Sequence, residues 1–317
     1  RGKLGLPLAL GMYELAPLWH ALFTSLGFEV VMSGLSTRKT YEAGQFSIPS
    51  DTACYPAKIM HGHIEQLLAA GVNTIFYPCL TYNVDEKAGD NHYNCPIVAY
   101  YAELLHANMD DLAQANFLYP YLDINSRGAL VRTLLPMLQK LDPTIRRAEV
   151  RRAVDRGFAA YADYRAEVRR QGDAALEWAR ANGKRVMILA GRPYHVDPEI
   201  SHGIDRLAAS LGFAVVTEDS VFDRVPVQKT HVLDQWTFHA RLYRAAEFAV
   251  QSDDVEFVQL VSFGCGVDAI TTDELRETLE AGGKLYTQIK IDEITNLGAV
   301  RIRLRSLIGA LDERKER

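Results

Sequence analysis

Cysteine is scarce in this sequence, with four residues in 317, and no two of them form a C-x-x-C pair. That excludes a disulfide scaffold and the local spacings of zinc fingers and ferredoxins. A basic excess is also missing. A formal net charge of -5 argues against a nucleic-acid binder, which carries surplus clustered Lys and Arg. No apolar run approaches the ~18 residues of a membrane span, and no charged-then-apolar leader opens the chain. The first residue is Arg rather than Met, so a piece of a longer chain is expected. With no export signal, the expected setting is a reducing cytoplasm, where unusual cysteines bind metal or do chemistry. Tandem repeats and low-complexity segments are absent. Hydrophobic content of 48% with 24% charged residues is ordinary globular composition.

What is present is an alternation of strands and helices. Lys3 to Pro7, Phe28 to Ser33 and Thr74 to Tyr77 read as strands, with a helix through Leu15, Trp19 and Phe23 closed by Gly27, and another from Pro56 to about Ala70. The same grammar returns in Arg185 to Ala190, Ala214 to Val216, Phe257 to Val261 and Lys284 to Ile289. Helices are expected over Ile200 to Leu211 and after a capping box at Thr271-Thr272-Asp273-Glu274. This rhythm implies α/β structure: two Rossmann-like parallel-sheet domains, residues 1–130 and 184–317, joined by a helical connector, 131–183, with a cleft between them. In the connector, Val150, Val154, Phe158, Tyr161, Tyr164 and Val168 form an apolar stripe. Arg146, Arg147, Arg151, Arg152 and Arg156 fall outside it, on an expected solvated face.

The cysteines are Cys54, Cys79, Cys95 and Cys265. Cys79 and Cys265 each follow a strand, and Cys54 precedes the proline that starts a helix, so all three are expected on the ligand rim, from both halves. A thiolate binds metal, and a helix start offers it partial positive charge and free N–H donors. Gly264 and Gly266 flank Cys265 and let the backbone approach a bulky cluster. Soft sulfur favours iron–sulfur clusters, zinc or Cu(I). The bland alternative is that each cysteine is a small buried hydrophobe. Cys95, in Asn94-Cys95-Pro96, is read as a loop residue and stands as the least secure ligand.

At these positions the sequence resembles a known group. The stretch Ile48-Pro49-Ser50-Asp51-Thr52-Ala53-Cys54-Tyr55-Pro56-Ala57-Lys58-Ile59-Met60-His61-Gly62-His63 looks like the signature of CoA-substrate-specific enzyme activase-related proteins. So do Ile75 to Cys79, Gly191-Arg192-Pro193-Tyr194-His195 and Ser262-Phe263-Gly264-Cys265-Gly266-Val267-Asp268. The family is related to the 2-hydroxyacyl-CoA dehydratase subunits. That resemblance implies two Rossmann-like domains around a 4Fe–4S cluster, or a larger bridged cluster shared across a dimer. It implies an ATP-hydrolysing activase, fused or separate, that supplies low-potential electrons for chemistry on an acyl-CoA thioester or for a further acceptor. Dehydratase subunits each supply three cysteines and leave one iron open, whereas this chain has four. No G-x-x-x-x-G-K-[ST] loop occurs here, so no ATPase activity of its own is expected.

Lys58, His61, His63 and Glu65 share the helix after Cys54. Lys58 and His61 are expected beside the cluster, as a charge that raises its potential or a proton carrier; an internal pair of His61 with Glu65 is the plain alternative. Arg192, a candidate clamp for a substrate phosphate or carboxylate, and His195 follow a strand onto the rim. Asp268 and Asp273 read as helix-start residues. His202, Glu218, Asp219 and Trp236 read as pocket members without a role. Two other functions remain open: a scaffold with structural zinc or no metal that docks to the activase, and a thiol nucleophile paired with His61 or His195.

Overall fold

The computed structural model describes residues 1–262, 264–294 and 296–316; Phe263 of the fourth motif lies outside them. The chain divides into two compact units. Unit 1 comprises Arg1–Lys87 and Asn91–Ala166, and unit 2 comprises Ala88–Asp90 and Glu167–Arg317.

Unit 1 begins β1 (Lys3–Leu6), α1 (Gly11–Ser25), β2 (Glu29–Met32), α2 (Arg38–Gly44) and α3 (Tyr55–Ala69). It continues with β3 (Thr74–Phe76), α4 (Pro96–Asn108), β4 (Asn116–Leu118), α5 (Arg127–Leu141) and the first part of α6 (Arg147–Ala181). The strands form one parallel sheet in the order β2-β1-β3-β4, registered by Leu4 against Val30, Gly5 against Ile75 and Ile75 against Phe117. Parallel strands are buried on both faces and read as apolar runs. On one side Trp19, Phe23 and Phe76 pack edge-on, with ring centroids 5.0 and 4.8 Å apart for the pairs with Phe76.

Unit 2 takes the remainder of α6, then β5 (Val186–Ala190), α7 (Pro198–Ser201), α8 (Ile204–Ser210), β6 (Ala214–Val216) and α9 (Thr237–Val250). It ends with β7 (Val255–Val261), α10 (Gly266–Ala281), β8 (Thr287–Lys290) and α11 (Leu297–Glu316). Its parallel sheet repeats the order as β6-β5-β7-β8. Ile188, Val216 and Phe257 face Leu242, Ala246 and Leu275 in a single apolar core. In both sheets the chain reverses direction of winding beside the first strand, the place where such sheets bind ligands. The α/β class with two parallel sheets is as the alternation implies. The five arginines from Arg146 to Arg156 are exposed. No helix among the described residues is long and apolar enough to cross a membrane.

Several local expectations give way. Residues 200–211 are not one helix: His202 and Gly203 take φ of 50° and 76° and split α7 from α8. The capping box at Thr271 starts nothing, because α10 begins at Gly266 and Thr271 donates to the Val267 carbonyl within it at 3.0 Å. Asp273 is therefore an exposed mid-helix residue, while Asp268 does sit in the first turn. The last strand starts at Thr287, since Lys284 instead donates to the Ser252 and Val255 carbonyls at 2.7 and 2.9 Å. The short β4 and α2 carry no signal strong enough to read.

Helices α2 and α3 cross at backbone contact through Gly44 and Gly62. A Cβ on Gly62 would fall 1.7 Å from the Thr40 carbonyl oxygen. This crossing fixes the helix that begins at Cys54. Gly62→Ala is therefore expected to destabilise unit 1 by about 3 kcal/mol through overpacking, read as a lowered urea midpoint at unchanged slope.

Candidate functional site

Three of the four cysteines are the N-cap residues of helices: Cys54 of α3, Cys95 of α4 and Cys265 of α10. Proline occupies the first or second position of both α3 and α4, where its missing N–H costs nothing. Ser, Thr, Asp or Asn would cap better than Cys. Neither Cys54 nor Cys265 makes a capping bond, and Cys95 accepts only a long one from the Val98 amide, at 3.5 Å. Cys95 thus caps α4 through its sulfur, whereas Cys54 and Cys265 do not cap their helices. Cys95 is a helix start rather than a loop residue, and its Cys-Pro spelling repeats the Cys54-Tyr55-Pro56 cue closely enough to have been read that way.

In unit 1 the fourth position of interest is Cys79, past the carboxyl end of β3. Its amide donates to the Pro120 carbonyl at 3.0 Å, and it bridges to Tyr121. It is 1% exposed. Burial, with the Glu103 carboxylate adding to it, pushes the thiol up to about 11, so without a neighbouring cation this sulfur stays protonated. The three unit 1 thiols share a neighbour. The Tyr77 hydroxyl is pushed well above its usual value by burial first, and then by Cys79, Tyr101, Cys95 and Cys54. Burial and Cys54 likewise raise Tyr101. Tyr77 Oη is buried and has no hydrogen-bond partner among the described residues.

Behind the thiols, α3 presents neutral histidines. His61 Nδ1 meets Ser47 Oγ at 2.8 Å and its Nε2 meets Tyr101 Oη at 3.0 Å. His63 lies between Ser33 and Ser36 at 2.7 and 2.9 Å. Burial lowers both to about 4. His61 therefore pairs with Tyr101 rather than Glu65, and Tyr101 is the group through which it approaches Cys54. Lys58 is buried and donates to the Asp51 carbonyl at 2.8 Å, which pins the turn leading into Cys54.

In unit 2, Arg192 organises the site. It is 4% exposed, and its guanidinium contacts Asp268 at 2.5 and 3.3 Å, Cys265 Sγ at 3.0 Å, His239 Nε2 at 3.0 Å and His195 Nε2 at 3.5 Å. Burial would lower Arg192, but Asp268 and then Cys265 outweigh it and hold the cation. Burial would raise Asp268, yet Arg192 and His239 keep it well below the carboxylate range. Burial and then the Arg192 charge keep His195 neutral. His239, Cys265 and Asp268 bring ligand atoms within 4.8 Å of one another, but the guanidinium lies on all three and a fixed cation opposes a metal ion there. The Arg192 fork is committed to Asp268, so it is not an open clamp. A Cβ on Gly266 would meet nothing within 4 Å, so the protein's own packing does not require glycine beside this sulfur.

A cavity of about 620 Å³ opens at the carboxyl ends of β5 and β6, floored by Leu189, Val215 and Leu260 with Phe213 at one wall. Arg192, His195 and Glu218 stand at its polar end. Glu218 accepts from the Gly191 amide at 3.0 Å, and burial with the Asp219 charge raises it to about 7. His202 meets the Asp292 carbonyl at 2.7 Å, Asp219 accepts from Thr217 Oγ1 at 2.5 Å, and Trp236 is the N-cap of α9. His239 and the bond from Arg192 to Asp268 escape the sequence, because their partners lie tens of residues apart with no periodic pattern. Tyr77, two residues before Cys79, is legible only as a strand residue.

Two doubly wound parallel sheets with thiols set at helix starts define a thiol-bearing α/β protein. The chain belongs to the family described as the CoA enzyme activase uncharacterised domain, which matches residues 3–221. The match includes Cys54, Cys79, Cys95 and Arg192 and stops short of Cys265. No curated protein matches the chain. Among solved structures, the C-terminal domain of glucosamine-fructose-6-phosphate aminotransferase from Francisella tularensis aligns over 96% of this chain and 81% of its own, at 9% identity and a TM-score of 0.22. A likeness that slight carries no argument.

Asp268→Asn leaves a buried guanidinium uncompensated and is expected to cost about 3–5 kcal/mol at neutral pH. Because the folded carboxyl is held low, its contribution is complete above about pH 4 and fades as pH falls further. Urea midpoints of variant and wild type should converge in acid. The histidines of α3 give a slope of the same sign. Their folded values lie below the unfolded one, so unfolding takes up protons and stability drops between about pH 6.5 and 4. The loss should be about 3 kcal/mol per histidine, measured as a pH series of unit 1 unfolding.

Proposed function

We propose that this domain is an iron–sulfur redox module of the 2-hydroxyacyl-CoA dehydratase type, associated with a CoA enzyme activase. The observation that carries the reading is the set of Cys54 and Cys95 at helix N-caps and Cys79 at a strand end, all acting on one buried hydroxyl. The donor set fits such a group: thiolates suit iron–sulfur clusters, and the unfilled helix starts reduce the cost of their charge. When bound, a 4Fe–4S cluster takes up one low-potential electron and passes it on. The electron donor is the ATP-hydrolysing activase, fused or separate, and a cytoplasmic setting and a dimer go with this reading.

The chain's own residues have distinct parts in it. Cys54, Cys79 and Cys95 give up their thiol protons on loading, Cys79 against burial and the Glu103 charge. The reading also takes Cys265 as a ligand, and the Arg192 guanidinium 3.0 Å from its sulfur is the contact that binding a metal there would displace. Lys58 and His61 stabilise the loop and helix that carry Cys54. The unit 2 cavity receives the apolar part of a small substrate, an acyl-CoA thioester in this reading, beside His195 and Arg192. One observation favours a second reading, a scaffold with zinc or no metal that docks to the activase: the Cys79 thiol is held protonated, as in an inert structural cysteine.

Iron and acid-labile sulfide, measured on protein purified and reconstituted without oxygen, decide between them. About four of each per chain, with a broad absorbance bleached by dithionite, is the expected result. Cys54→Ala, Cys79→Ala, Cys95→Ala and Cys265→Ala should each lose most of the iron. Iron retained only in Cys265→Ala would restrict the ligand set to three thiols with one iron open. Absence of iron in the wild type, with or without zinc, would leave the scaffold.

A further inference from the structure

Tyr77 is 2% exposed, and its hydroxyl oxygen is buried without a hydrogen-bond partner among the described residues. Buried polar atoms are almost always satisfied, and an orphan needs an explanation. The ring is not loosely placed. Its backbone amide donates to the Leu118 carbonyl at 2.9 Å, continuing the ladder of β3 with β4, and Cys79 follows two residues later.

The neighbouring hydroxyls are already engaged. Tyr101 meets His61 at 3.0 Å, Tyr121 donates to Glu103 at 2.6 Å, Tyr100 meets Thr81 at 3.0 Å, and Tyr82 donates to Tyr93 at 3.1 Å. Among the described residues, the Tyr77 donor is unspent on protein. Its hydroxyl is also the one on which Cys54, Cys79 and Cys95 all act.

We propose that the Tyr77 hydroxyl donates a hydrogen bond to a sulfur of the group held by Cys54, Cys79 and Cys95, and thereby raises its reduction potential. The inference rests on the redox reading of those thiols and assigns a positioning and tuning role to a residue that supplies no ligand atom. The reasoning is electrostatic. Reduction adds negative charge to the sulfurs, so a donor aimed at them stabilises the reduced form more than the oxidised one. No proton leaves the phenol and no bond to it breaks.

The test compares wild type with Tyr77→Phe in the full chain, reconstituted anaerobically with iron and sulfide. Iron and sulfide should be unchanged, and the midpoint in a dye-mediated titration should move to a more negative value. Without metal, the variant should unfold at the wild-type temperature or above it, because the substitution removes an unsatisfied buried group. A residue that merely filled space would not move the midpoint. Replacing Tyr77 with 3-fluorotyrosine, a stronger donor of the same shape, should shift the midpoint the other way, and this holds the test if the Phe variant folds poorly. Equal iron with an unmoved midpoint in both variants overturns the inference and leaves the redox reading standing. Loss of iron from a Phe variant of unaltered metal-free stability overturns a role confined to potential. Failure of the wild type to take up iron removes both, and is told apart by that.

Discussion

A helix start carries unpaired N–H groups and about half a positive charge, and a parallel sheet forces every helix to start at the same edge. That constraint governs where this chain can keep negative sulfur. In β-α units the chain leaves the carboxyl end of a strand and enters a helix, so residues at that turn face a ready anion site. Cys265 lies in such a turn after β7. Cys54 and Cys95 occupy the starts of α3 and α4 within the β2-to-β3 and β3-to-β4 connections. The fold supplies the field, and the sequence places a cysteine in it at each of these starts.

The two units use the field in different surroundings. In unit 2 a full cation, Arg192, sits on Cys265 and is itself balanced by Asp268, so the charges close locally. The unit 1 thiols have different surroundings. The groups gathered there are phenols and neutral histidines, and Cys79 is driven toward its protonated form by burial and by Glu103.

The sheets were legible because parallel strands are short apolar runs bounded by glycine and proline, as in Thr74 to Phe76 or Val186 to Ala190. Cys54 was legible as a helix start because Pro56 fixes the first turn. The same reasoning was available at Cys95, where Pro96 does the same work, and the surrounding polar residues obscured it. The Thr271 box misled because its spelling is local, while the true start at Gly266 is set by the chain leaving β7 through Ser262, whose amide bonds Asp268 at 3.1 Å. Arg192 could be read as a cation on the rim but not as a spent one. Its partner lies 76 residues on, and no pattern in the sequence spans that distance. Tyr77 shows a different limit: a missing partner is a fact of packing, which composition and periodicity cannot express.

Fixed charge and hydrogen bonds are the two levers by which a protein shifts a sulfur-bound group, and unit 1 has largely given up the first. His61 and His63 are too deeply buried to ionise near neutral pH. Lys58 keeps its ammonium on the Asp51 carbonyl, a contact that stiffens the turn before Cys54. The acid that does act on a thiol, Glu103, opposes charge on Cys79, and Tyr121 spends its hydroxyl on that carboxylate. Tyr101 is held by His61, which is held in turn by Ser47. These bonds make the frame around the thiols rigid, and the Tyr121 side chain also hydrogen-bonds Cys79, which works against burial and Glu103. A frame built this way sets the sulfurs' environment through few contacts, and a single O–H in it carries correspondingly more weight than it would among free charges.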